Sequence, residues 1–130
     1  MNMSLNAKTV LVVEDEKIMR DSLETALSKA GYTVLTAEDG EVGLKTALDK
    51  KPNLILLDIM MPKKDGLEVL KALRADTWGA YVPVILLTVL EPDDNITRQI
   101  AENKPIYYLV KANWHLEDVV NKVKEAMDMT

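Results

Sequence analysis

Apolar residues gather into five short runs along this chain, centred on residues 9–13, 33–37, 53–57, 83–88 and 106–110. Each is rich in Leu or β-branched residues and is continuous rather than alternating, which reads as a strand buried on both faces. Helical periodicity fills the intervals. Met19, Leu23, Ala26, Leu27 and Ala30 share one face, and Gly31 supplies a C-terminal stop. A second helix is expected over about 41–50, ending before Pro52, and a third over about 66–75 with Leu67, Leu70 and Leu73 inward. The fourth, about 93–103, offers a thin stripe of Ile96, Ile100 and Ala101. In the fifth, capped by Asn113, Leu116, Val119, Val120, Val123 and Met127 form the buried stripe. Strand and helix alternating five times predict an α/β fold, a doubly wound five-stranded parallel sheet of the flavodoxin-like (βα)5 kind, with strand order 2-1-3-4-5.

Composition narrows the class. The chain has 130 residues, enough for one domain with its own core, and 48% are hydrophobic. Residues 1–8 read as a flexible N-terminal tail and 9–130 as the folded domain. No apolar run nears the ~18 residues of a membrane span, and Met1–Lys8 lacks the apolar centre of a signal peptide. Cys is absent, excluding a disulfide framework or thiolate metal site. A soluble cytoplasmic protein is the expectation. The net charge of −5 argues against direct nucleic-acid binding, which usually shows a basic face.

The chemistry lies where the apolar runs stop. Asp58 closes Leu54-Ile-Leu-Leu57, and Glu14-Asp-Glu16 follows Val10-Leu-Val-Val13. Thr88 ends Val84-Ile-Leu-Leu87, and Lys111 follows Ile106-Tyr-Tyr-Leu-Val110. In open parallel sheets, ligands bind beyond the carboxyl ends of the strands, at the switch between strands one and three for this order. Gathered carboxylates repel unless a cation joins them, and hard oxygen donors without Cys or nearby His favour Mg²⁺. Asp58 can then act as nucleophile toward a phosphoryl group and form an aspartyl phosphate. Lys111 supplies a compensating point charge and Thr88 a hydroxyl donor.

These residues carry a resemblance. Glu14-Asp15, Asp58 within Asp58-Ile-Met-Met-Pro-Lys-Lys-Asp-Gly66, Thr88 after an apolar strand, and Tyr108-Leu-Val-Lys111 together resemble a response-regulator receiver domain, from about Thr9 to Met127. The resemblance implies a phosphoacceptor switch of a two-component phosphorelay, with Asp58 taking phosphate from a histidine kinase or histidine phosphotransfer protein. It implies Mg²⁺ held by Asp15, Asp58, the backbone carbonyl of Met60 and, less directly, Glu14. Thr88 and Tyr108 match the family's two switch residues, and the fourth helix, fifth strand and fifth helix match its output face. Such a protein is no enzyme beyond its own phosphorylation and dephosphorylation, and it signals to a downstream protein or an effector domain.

The chain departs from the pattern in places. Lys111 is followed by Ala112 where the family usually has Pro, often after a cis bond. A cis bond before Ala112 would cost ~2.5–4 kcal/mol, so this loop is either trans or held by its neighbours. Val89 stands where a very small residue is usual, and Asn103-Lys-Pro-Ile106 replaces a Gly-Ala pair. Met60 and Leu90, two residues after Asp58 and Thr88, flank the family's path for the hydrolytic water. Alternatives are an aspartate-nucleophile phosphohydrolase, though Met60 stands where its second acid would be, and a receiver-like scaffold with decayed or engineered switching. A flavin module is disfavoured by the acidic Val13-Glu-Asp-Glu-Lys17 loop. Glu16 reads as a first-turn helix charge and His115 as a surface residue.

Overall fold

The computed structural model describes residues 7–61, 64–88, 94–105, 107–110 and 115–128; for Thr88, Asp94, Ile96, Tyr107, Tyr108 and Val110 it describes the backbone. The strands are β1 (Thr9–Val13), β2 (Thr33–Ala37), β3 (Leu54–Asp58), β4 (Val84–Thr88) and β5 (Tyr107–Val110). The helices are α1 (Lys17–Lys29), α2 (Gly40–Lys50), α3 (Gly66–Arg74), α4 (Asp94–Asn103) and α5 (Leu116–Asp128). The sheet is parallel in the order β2-β1-β3-β4-β5. The α/β class and the run 2-1-3-4 agree with the apolar pattern, and Tyr107–Val110 pairs along β4 at the edge. Of the expected N-terminal tail, residues 1–6 lie outside the described residues. Among those described, no helix is long and apolar enough to cross a membrane.

Side chains alternate across the sheet, and the alternation sorts the core into two layers. Val10, Val12, Leu54, Leu56, Ile85 and Leu87 pack with Leu23 and Leu27 of α1 and with Val119, Val123, Ala126 and Met127 of α5. Leu11, Val13, Ile55, Leu57, Val84 and Leu86 face the other way, onto Ala47 of α2 and Leu67, Leu70 and Leu73 of α3. The strands read as continuous apolar runs because both faces are covered. Gly43 brings α2 against β1, since a Cβ there would stand 2.7 Å from Val13 Cγ1.

Helix ends depart from expectation in two places. Glu16 is the N-cap of α1 rather than a first-turn residue, and its side chain makes no capping bond. Leu116, expected in the buried stripe of α5, is 36% exposed, because it opens the helix and borders an open groove beside Met19 and Ser22 of α1. Asn113, the expected cap of α5, lies outside the described residues; the His115 N–H donates to Asp118 Oδ2 at 2.7 Å. His115 is exposed, as read.

Arg74, at the end of α3, ties the far side of the fold together. Its Nε donates to the Asn103 carbonyl (2.8 Å) and its Nη1 to those of Gly79 and Val82 (both 2.8 Å), while Nη2 reaches Lys104 O at 3.1 Å. The planar fork suits this task, since it offers five donors in fixed directions. Two of the four acceptors close α4, whose C-terminal carbonyls lack intrahelical partners and favour a cation. Burial lowers the Arg74 pKa from its ordinary value, yet the group stays charged at any physiological pH. Arg74→Met should lower unfolding stability by about 2–3 kcal/mol, because it strands these carbonyls. Arg74→Lys should recover less than half, an ammonium being unable to span three segments. Urea midpoints of the three proteins decide it; a midpoint for Arg74→Met equal to the parent's would show that water satisfies the carbonyls as well.

Candidate functional site

The site is set by strand register. Val13 lies beside Leu57 in the β1/β3 ladder, so Glu14 and Asp58 leave neighbouring strands at the same level. Both are buried, at 1% and 4% exposure, and Asp15 follows as an exposed residue. One carboxylate oxygen from each of Glu14, Asp15 and Asp58 lies within 4.8 Å of the others. Three of the expected site residues are therefore brought together.

Backbone contacts fix the loops that carry these carboxylates. On the β1 side, the Glu14 N–H donates to Ala37 O at the end of β2 (3.1 Å). Glu14 Oε2 accepts from the Glu16 N–H at 3.2 Å, folding the acidic loop onto itself. Arg20 of α1 reaches back, its Nη1 donating to the carbonyls of Glu14 (2.9 Å) and Asp15 (3.4 Å).

On the β3 side, Ile59 N–H donates to Leu87 O (3.1 Å), and Gly66 N–H to Ile59 O (2.8 Å). Gly66 thereby sits directly on the peptide of Asp58: a Cβ there would press on the Asp58 carbonyl and stand 2.8 Å from Ile59 Cα. Asp65 and Glu68 then start α3 with a reciprocal capping box. Met60, two residues after Asp58, is 52% exposed.

The backbone of Thr88 ends β4 beside Val110. The side chains of Thr88 and Tyr108, and the whole of Lys111, Ala112, Val89 and Leu90, lie outside the described residues. Arg20 stands apart from the pattern of carboxylates and strand ends. Its signal is a cation in the opening turns of α1, where the helix dipole disfavours positive charge and the first turn holds no acid.

The donor set fits a hard divalent cation. In an octahedron with bonds of ~2.1 Å, opposite ligands stand ~4.2 Å apart, close to the 4.8 Å limit on the three oxygens. Mg²⁺ keeps several waters and commonly takes one or two carboxylates directly, which leaves room for one of these acids to act through water. Two buried acids beside a third make the cluster costly without positive charge nearby.

The sequence matches the response regulator receiver domain family over residues 10–124. The probable transcriptional regulator ycf27 of Cyanophora paradoxa is 47% identical over 96 residues, which cover 73% of this chain and 39% of that protein. The alkaline phosphatase synthesis transcriptional regulatory protein PhoP of Bacillus subtilis is 44% identical over 86 residues, covering 66% of this chain and 35% of PhoP. The chain thus spans less than two fifths of the length of these relatives. Among solved structures, the chemotaxis response regulator CheY4 of Vibrio cholerae superposes with a TM-score of 0.84 at 27% identity, covering 93% of this chain and 99% of that one. A CheY-like receiver domain protein from Methanospirillum hungatei gives 0.87 at 25% identity, covering 95% and 96%. The expectation of no direct nucleic-acid contact finds no support here, since both curated relatives are named as regulators of transcription.

Crowding of the acids has a measurable consequence. In metal-free buffer, Asp15→Asn and Asp58→Asn should each raise the melting temperature, because each removes like-charge repulsion. Adding Mg²⁺ should erase the gain by stabilising the parent, by about 2.7 kcal/mol at a hundredfold excess over Kd. Thermal melts with and without Mg²⁺ test both; destabilisation by both substitutions in metal-free buffer would rule out the repulsion.

Proposed function

The chain belongs to the response regulator receiver domain family, and from that premise we propose that it is a phosphoacceptor switch in which Asp58 accepts a phosphoryl group from a histidine kinase or histidine phosphotransfer protein. The observation that carries the reading is the convergence of Glu14, Asp15 and Asp58 at the ends of β1 and β3. An oxygen of the Asp58 carboxylate attacks phosphorus, the P–N bond to the donor imidazole breaks, and its electron pair returns to the ring nitrogen. Reset is hydrolysis: water attacks phosphorus, the acyl P–O bond breaks, and the carboxylate is restored.

Asp15, Asp58, the Met60 carbonyl and, less directly, Glu14 would hold Mg²⁺, which when bound offsets charge on the carboxylates and phosphoryl oxygens. Lys111 is assigned as the balancing cation and Thr88 as a hydroxyl donor to the phosphoryl group. Thr88 and Tyr108 couple the modification to the α4, β5 and α5 surface, through which the domain, residues 9–130, signals in the cytoplasm to a protein target or an effector region. The names of the curated relatives favour output to transcription.

Incubation with Mg²⁺ and a small phosphodonor should add one phosphoryl group, located to Asp58 by peptide mass. Asp58→Asn should abolish it. Modification of Asp58→Asn as readily as the parent refutes the assignment.

Lifetime supplies a second test. The exposed Met60 and the apolar Leu90 cannot orient an attacking water by hydrogen bonding. The phospho-form should be long-lived, and Met60→Asn with Leu90→Glu should shorten its half-life by supplying polar groups that position the water. Phosphate release after donor removal is the measurement. Equal rates in the two proteins would show that these side chains do not govern water access.

A further inference from the structure

We infer that Arg20 is a positioning residue for the metal site, an inference that rests on the reading above. Arg20 lies on the second turn of α1 and is half-buried. Its Nη1 holds the carbonyls of Glu14 (2.9 Å) and Asp15 (3.4 Å), the two peptides that aim the acidic side chains. The Arg20 N–H also donates to Glu16 O at 2.9 Å, so the helix that carries the guanidinium begins on the loop it clamps. The acidic loop is thus fixed from both sides, by Ala37 O on the Glu14 N–H and by Arg20 on the carbonyls. A helix cation in this place opposes the dipole, and the nearby Asp21 forms its salt bridge with Lys17, at 2.7 Å. The carbonyl clamp is what offsets that cost. Removing groups that orient metal ligands from behind typically costs roughly 10–100-fold in metal affinity.

Positioning and charge predict opposite effects of Arg20 on Mg²⁺ affinity. A guanidinium beside the cluster repels a divalent cation, so removing its charge should tighten Mg²⁺ binding if electrostatics were its whole role. If it positions the loop, removal weakens binding in spite of the lost repulsion. Arg20→Met and Arg20→Lys separate the two, because Lys keeps the charge and loses the fork. Mg²⁺ affinity is measured by calorimetric titration of the full chain, alongside melting in EDTA and with Asp15→Asn as control.

Both variants should bind Mg²⁺ about tenfold more weakly than the parent, with parental helix content by circular dichroism. Unchanged affinity in both, or tighter binding by Arg20→Met, overturns the inference and leaves the metal reading intact. A parent chain that binds no Mg²⁺, or Asp15→Asn binding as well as the parent, overturns the metal reading and this inference with it. Should Arg20→Met melt below the assay temperature, Arg20→Lys decides alone: weaker binding supports positioning and parental binding overturns it.

Discussion

Mutual repulsion of carboxylates is the constraint around which the rest of this structure is arranged. Glu14 and Asp58 are nearly inaccessible to solvent, and Asp15 is close enough to share a cation with them. Acids left to themselves would turn toward water. Here they are kept together by the rigidity of what precedes them, because β1 and β3 are central strands with their apolar side chains fully buried on both faces. The stability of the sheet holds the charges at close range, and a ligand that neutralises them can then recover that energy.

Much of this arrangement was legible in the chain itself. Continuous runs such as Val10–Val13 and Leu54–Leu57 can be satisfied only by a sheet covered on both faces, and the helical intervals supply the cover. Once the parallel order is granted, an acid after each of two neighbouring strands is a site almost by construction. Less legible were contacts in which a side chain serves a distant backbone. Arg20 and Arg74 look like solvated helix charges in the sequence, because nothing in residue type announces a carbonyl acceptor. Their partners are fixed by tertiary geometry: Arg74 reaches carbonyls 29 and 30 residues away, which no local pattern encodes. Helix starts are hard to read for a related reason: Leu116 follows the apolar period of α5, but the period does not say how fully a neighbour covers the helix end.

The two arginines also show how a polar group can be made structural without an ion pair. A guanidinium shared among carbonyls meets the hydrogen-bonding demand of helix ends and loops that would otherwise face a partly dry interior. Arg74 serves the end of the sheet where α3 and α4 finish, and Arg20 serves the opposite end, beneath the acids. Each thereby fixes peptide planes, and a fixed peptide fixes the direction of the side chain it carries.

The segregation of the core into two layers has a bearing on how sequence change accumulates. Residues such as Leu23 and Val123 meet only one face of the sheet, while Ala47 and Leu70 meet only the other. The backbone of the strands stands between them as a partition with no side chain shared across it. Substitutions on opposite sides lack common partners, so their effects on stability should sum, whereas neighbours within a layer couple. A change in the α1/α5 layer therefore places no demand on the α2/α3 layer.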